Sequence, residues 1–340
     1  MSVRCLVVDD SPVMRALLSG MLRRDSEIDV IGTAADTKIA REMIRELNPD
    51  VITLDIEMPG MNGLEFLEKL MRLRPTPVVM CSTLTTRGAD TTLRALEIGA
   101  VDCYAKPQGA IQDLMAIDDG QLADMVKQAA RSRRRALPLV RDTATRGEFR
   151  WNGNYVGIGS STGGVEALTE LLQRFPENCP PTVIVQHMPA LYTASFAARL
   201  DKQCAPRIVE ATDGAPLERG TVYIAPGGNT HLMVKPGSQP FCRLVEGDLV
   251  TGHRPSVDVM FRSLAGAFRA ASVGVILTGM GRDGASGLLE LRDGGARTIG
   301  QDESSCVVYG MSRVAAEIGA CEMVLPLEKI GLKVLDLCSI

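Results

Sequence analysis

Gly157-Ile158-Gly159-Ser160-Ser161-Thr162-Gly163-Gly164 follows a short apolar run and leads into apolar residues at helical spacing. A glycine-dense turn between a strand and a helix serves either a nucleotide phosphate or a nucleophile. The dinucleotide fingerprint G-x-G-x-x-G/A starts well at Gly157 and Gly159 but meets Thr162 at its third small position. A phosphate loop from Gly159 to Gly164 finds Val165 where a lysine must neutralise phosphate charge. The G-x-S-x-G elbow is satisfied by Gly159, Ser161 and Gly163, which turns Ser161 outward as a nucleophile. Ser160, at the variable position, is the second choice. The plainer alternative is a serine or threonine N-cap among turn glycines.

Outward from the elbow, residues 155–158 read as a strand, and Val165, Leu168, Leu171 and Leu172 give the next helix a buried stripe. Residues 182–186 form an apolar strand ending at His187, and residues 273–278 another, ending in Gly279-Met280-Gly281-Arg282-Asp283. Serine, histidine and aspartate thus each follow a buried-type strand, and in a doubly wound sheet those carboxyl ends share one edge. Serine is a poor nucleophile at neutral pH, so His187 must take its proton and Asp283 must hold the imidazole tautomer. Asp258 is the second choice of acid. Backbone N–H groups near Thr162 and Gly163, and in the turn at residues 279–281, are candidate donors to an oxyanion. His231 and His253 sit in loop-flanked segments and read equally as hydrogen-bonding side chains or as substrate contacts. The order Ser, His, Asp departs from the Ser, acid, His order of α/β-hydrolases.

The 340 residues suggest two domains. A net charge of −4 does not supply the basic field of a nucleic-acid binder. The nine scattered cysteines, with no C-x-x-C pair, argue against a disulfide framework or a zinc site. No run of 18 apolar residues and no leader pattern is present, so a cytoplasmic protein is expected.

Ahead of the elbow, strands at residues 5–8, 30–33, 51–54, 78–81 and 101–104 alternate with helical patterns, the signature of a parallel sheet. Asp9 and Asp10 follow the first strand, Asp55 the third, Ser82 the fourth and Lys106 the fifth. Three carboxylates on one sheet edge call for a hard divalent cation, and oxygen-only ligands suit magnesium. A lysine there would stabilise added phosphoryl oxygens. Beyond Lys106 a helix through Leu122, Val126 and Ala130 leads into Arg131, Arg133, Arg134, Arg135 and Pro138, a helix end plus solvated linker.

Asp9-Asp10, the segment Asp55-Ile56-Glu57-Met58-Pro59-Gly60-Met61-Asn62-Gly63, Ser82 and Lys106-Pro107 resemble the response-regulator receiver domain. That resemblance implies a flavodoxin-like five-stranded fold, Asp55 as phosphoacceptor, Mg2+ held by Asp9, Asp10 and Asp55, and Ser82 with Tyr104 as the switch pair. Together with Gly159-Ser160-Ser161-Thr162-Gly163-Gly164, Gln186-His187-Met188-Pro189, His253-Arg254-Pro255-Ser256-Val257-Asp258 and Thr278-Gly279-Met280-Gly281-Arg282-Asp283-Gly284, it extends to the chemotaxis protein-glutamate methylesterase (CheB) family. The implied layout is a receiver at 1–120, a helix end and linker at 121–150, and at 151–340 a catalytic domain with a doubly wound, mainly parallel Rossmann-like sheet carrying a Ser-His-Asp triad.

By that resemblance Ser161, His187 and Asp283 hydrolyse glutamate γ-methyl esters, or deamidate glutamines, on methyl-accepting chemoreceptors, with the Met280 amide in the oxyanion hole. No cofactor is expected for that step. A chemotaxis histidine kinase would be the phosphodonor, the unphosphorylated receiver would occlude the site, and the protein would sit at receptor clusters without membrane insertion or nucleic-acid binding. A receiver driving a DNA-binding output, and a hydrolase for a different ester, are the alternatives.

Overall fold

Strands β1 (Val3–Val8), β2 (Ile28–Ala34), β3 (Val51–Asp55), β4 (Val78–Ser82) and β5 (Asp102–Ala105) form one parallel sheet in the order β2-β1-β3-β4-β5. The computed structural model describes residues 2–58, 62–82, 86–106, 120–132 and 149–340. Pro59, Gly60, Met61 and Pro107 of the receiver-like segments, and Arg133, Arg134, Arg135 and Pro138 of the expected linker, lie outside them. β3 and β4 are buried along their whole length, as strands covered on both faces must be.

The helices start where short polar side chains can cap them. Ser11 accepts from Met14 N ahead of Pro12–Leu22, Asp36 from Lys38 N and Ile39 N ahead of Thr37–Leu47, and Asn62 from Glu65 N ahead of Gly63–Leu73. Helix Gln121–Arg131 buries Leu122, Ala123, Val126 and Ala129, and the first compact unit runs Met1–Ser132. Strand order reverses around β1, so the segments leaving β1 and β3 flank the crevice where ligands bind in such sheets.

The second unit, Arg133–Ile340, holds seven strands: β6 (Tyr155–Ser160), β7 (Thr182–Gln186), β8 (Arg207–Glu210), β9 (Thr221–Ile224), β12 (Ser272–Ile276), β13 (Arg297–Gln301) and β14 (Met323–Leu325). Their order is β14-β13-β12-β6-β7-β9-β8 and every pairing is parallel. A separate antiparallel ribbon, β10 (Thr230–Lys235) with β11 (Phe241–Glu246), was not foreseen in the sequence.

The sheet switches direction between β6 and β12, and helix Val257–Phe268 lies against these strands. A Cβ at Gly157 would run into Leu264 of that helix, and one at Gly159 into Val257. The two glycines that imitate a nucleotide fingerprint therefore admit a closely packed helix instead. Phe261 and Leu264 there are fully buried, each such side chain contributing about 1.5–3 kcal/mol. Among the described residues no helix is long and apolar enough to cross a membrane.

Candidate active site

The elbow leaves β6 between its two neighbours. Ser161 N donates to Thr278 O beyond β12 at 3.0 Å, and His187 N beyond β7 donates to Ser160 O at 3.1 Å. Ser160 is fully buried and its Oγ donates to Gln186 Oε1 at 2.6 Å, which removes it as the nucleophile. Ser161 is half-buried. The N-cap alternative fails as well, because helix Gly164–Leu172 is capped by Gly163 at φ +76° with no side-chain bond. Gln186, for which sequence reasoning found no role, donates through Nε2 to Ser161 O (2.9 Å) and His187 O (3.0 Å), so one buried carboxamide fixes both backbones.

His187 Nε2 lies 2.9 Å from Asp283 Oδ2. An ionised carboxylate accepts only, so the proton sits on Nε2 and Nδ1 carries the lone pair. Nδ1 is buried and has no hydrogen-bond partner among the described residues. The bond to Ser161 Oγ that a resting triad forms is absent among the described residues, and it is Nδ1 that has the free lone pair to make it. The ring orientation is the reverse of the template in which Nδ1 faces the acid.

Asp283 is fully buried. Burial alone would raise its carboxyl, but the hydrogen bonds from His187, Thr251 and Ser256 prevail and hold it well below the usual carboxylate range. Its Oδ1 faces Thr251 Oγ1 (2.7 Å), Ser256 Oγ (2.7 Å) and Asp258 N (3.2 Å), while Oδ2 also accepts from Val257 N at 2.7 Å. Asp258 thus serves the acid through its amide. Its own Oδ1 accepts from Gly287 N at 2.6 Å, and burial pushes its carboxyl up, so it is not the orienting acid.

His231 is a structural residue. Its Nδ1 accepts from Ser256 N at 3.1 Å, which places its proton on Nε2 toward Asp248 O at 2.9 Å. His253 stacks flat on His187, centroids 3.8 Å apart and planes 8° apart.

Beside the elbow, Gly279 packs against Ser161, and a Cβ there would lie 2.7 Å from Ser161 Cβ. Between Gly279 and Gly281 (φ +80°), the Met280 N–H makes no hydrogen bond to another described residue. Thr162 is buried, and its carbonyl accepts from Thr278 Oγ1 at 3.0 Å.

In the first unit, Asp9, Asp10 and Asp55 offer oxygens all within 4.8 Å of one another. Lys106 Nζ stands 2.7 Å from both Asp9 Oδ2 and Asp55 Oδ1. Burial pushes the Asp55 carboxyl up against the pull of Lys106, and burial lowers Lys106 less than Asp55 and Asp9 raise it. An all-oxygen donor set with one exposed carboxylate, Asp10, fits a hard divalent cation. Ser82 and Tyr104 are buried on neighbouring strands, where Cys81 pairs with Tyr104 and Ser82 with Ala105.

An acidic, lysine-bearing sheet edge in one unit and a serine elbow beside a histidine–aspartate pair in the other define a response regulator with an enzymatic output domain. Residues 5–117 match the response regulator receiver domain, and residues 156–334 match the CheB methylesterase family. The chain is 58% identical over 343 residues to a protein-glutamate methylesterase/protein-glutamine glutaminase of Agrobacterium fabrum, covering 99% of this chain and 97% of that one. It is 59% identical over 341 residues to protein-glutamate methylesterase/protein-glutamine glutaminase 1 of Caulobacter vibrioides, covering 99% and 98%. The Thermotoga maritima CheB methylesterase catalytic domain superposes with a TM-score of 0.53 at 40% identity, over 54% of this chain and 98% of that one. The chain belongs to the CheB methylesterase family.

Proposed function

We propose that this chain is a phosphorylation-regulated chemotaxis enzyme that hydrolyses glutamate γ-methyl esters on chemoreceptors to glutamate and methanol and deamidates particular receptor glutamines. The observation that carries the hydrolytic reading is the His187–Asp283 pair, its free lone pair on Nδ1, held by Gln186 to the backbone of Ser161. Ser161 Oγ attacks the side-chain carbonyl while Nδ1 takes its proton, and the oxyanion is met by the Met280 N–H, with Thr162 at the start of the elbow helix as second donor. As the tetrahedral intermediate collapses, the imidazolium gives its proton to the departing methoxide oxygen, or to the departing amide nitrogen of a glutamine, so that methanol or ammonia leaves and an acyl-enzyme remains. Water, deprotonated by the same nitrogen, then releases glutamate. Asp283 stays ionised throughout, because every lone pair it offers already has a donor.

In the receiver, Asp55 is the phosphoacceptor, Asp9, Asp10 and Asp55 hold Mg2+, Lys106 steadies the phosphoryl oxygens, and Ser82 with Tyr104 reports the change. Bound Mg2+ would neutralise charge on the transferred group. A chemotaxis histidine kinase supplies the phosphoryl group, the protein works at receptor clusters, and the receiver restrains the catalytic unit until Asp55 is modified. The test is methanol release from methylated chemoreceptor membranes by wild type, Ser161→Ala and Asp55→Asn, each with and without phosphodonor. Release that the donor increases in wild type, basal release in Asp55→Asn, and none in Ser161→Ala support the reading. Release that survives Ser161→Ala sinks it.

A further inference from the structure

His187 is anchored at one ring atom. Nε2 is bonded to Asp283, Nδ1 to no described residue, and rotation about the terminal bond of a histidine is soft. One hydrogen bond leaves the ring plane open, yet the direction of the Nδ1 lone pair depends on that plane. The missing restraint comes from the face of the ring. His253 covers it at 3.8 Å with planes only 8° apart. The His253 ring nitrogens make no hydrogen bond to another described residue, so at this place the ring contributes its face.

The turn that delivers His253 also serves the acid. Val250 and His253 exchange both backbone hydrogen bonds (3.1 and 3.0 Å), with Thr251 at φ +53° and Gly252 at φ +84° between them. Such two-residue turns favour Asn-Gly or Gly-Gly, and a β-branched residue at positive φ is strained. That strained Thr251 places its hydroxyl 2.7 Å from Asp283 Oδ1. One turn therefore sets the carboxylate on one side of His187 and the stacked ring on its face.

We propose that His253 is a positioning residue for the hydrolytic reaction, fixing the plane of His187 so that Nδ1 faces Ser161. The inference rests on the hydrolase reading above. The charged groups facing His253 are His187 and Asp283, and burial first, then His187, hold its own proton affinity down to a pKa of about 4. It stays neutral while His187 cycles through imidazolium, and a neutral ring face tolerates that cation where a second imidazolium would repel it.

The test compares His253→Ala, His253→Gln and His253→Phe in the full phosphorylated chain, reading kcat and KM for methanol release from methylated receptor membranes across pH. Phe keeps a flat ring without nitrogens; Gln keeps polarity without the ring. His253→Ala and His253→Gln should lose about 10–100-fold in kcat with KM nearly unchanged, the scale of an ångström-sized misplacement. His253→Phe should recover most of the loss. Histidine side-chain NMR gives a second reading, in which the His187 resonances shift and broaden in His253→Gln but not in His253→Phe. Unchanged kcat in His253→Gln, a loss confined to KM, or His253→Phe as impaired as His253→Gln overturns the proposal while the hydrolase reading stands. A wild type without Ser161-dependent release removes both.

Discussion

Asp55 closes β3 and Asp283 lies in the loop that follows β12, both buried at the carboxyl side of a central parallel strand, yet their hydrogen bonding is opposite. Asp55 meets Lys106 and the Glu57 amide through Oδ1, and its Oδ2 takes no hydrogen bond from a described residue. Burial raises its carboxyl. Asp283 is saturated on both oxygens and held low. An under-donated carboxylate keeps nucleophilic lone pairs for a phosphoryl group, whereas a saturated one can only orient its neighbour. Donor count, rather than depth, separates the two proposed roles.

The sharpest way to break this comparison is to replace each carboxylate by its amide. Asp283→Asn should lower kcat about 10⁴-fold, by stabilising the wrong imidazole tautomer, whatever the state of the receiver. Asp55→Asn should keep basal release and lose only its response to phosphodonor, and equal losses in both would end the distinction. Next in size, Lys106→Met leaves Asp9 and Asp55 buried without their cation and should destabilise the chain by about 3 kcal/mol in urea. Added Mg2+ should restore part of that by binding the folded state. Ser256→Ala removes one of several donors to Asp283 and the cap of helix Val257–Phe268, so a loss of about 2 kcal/mol is expected by thermal unfolding.

The smallest effect concerns His253. Its folded-state pKa of about 4 lies below the ordinary 6.5, so the unfolded chain binds the extra proton between these values. The stability that a neutral His253 contributes is therefore full above about pH 6.5 and is lost as pH falls through about 4. Over that window the Tm of wild type should fall more steeply than that of His253→Phe. Parallel Tm curves would show that His253 does not differ in protonation between the two states.

The sequence placed Asp9, Asp55, Lys106, Ser161, His187 and Asp283 at strand ends because long apolar runs announce buried parallel strands, and strand ends collect the chemistry. It named Gln186 and Ser256 within motifs but could assign them no task, since what they do depends on which strands are neighbours. The pairing of β6 with β12 and β7 is a long-range fact without local signature. Residues 250–258 carry no periodic pattern, so a turn that meets both Asp283 and His187 read as loop. Ser160 and Ser161 are adjacent and chemically identical; the elbow pattern ranks Ser161 first, and the inward hydrogen bond of Ser160 to Gln186 supplies the physical reason.

That bond has an evolutionary consequence. A Cβ at Gly164 would run into Gln186 Oε1, and the same oxygen holds the buried Ser160 hydroxyl while the amide nitrogen holds Ser161 and His187. Gln186 needs the space that Gly164 leaves, and Ser160 and Gln186 satisfy each other's buried polar atoms. Single changes leave a buried polar atom unmatched or force a clash, so descendants of this chain should alter the three together or leave them as they are.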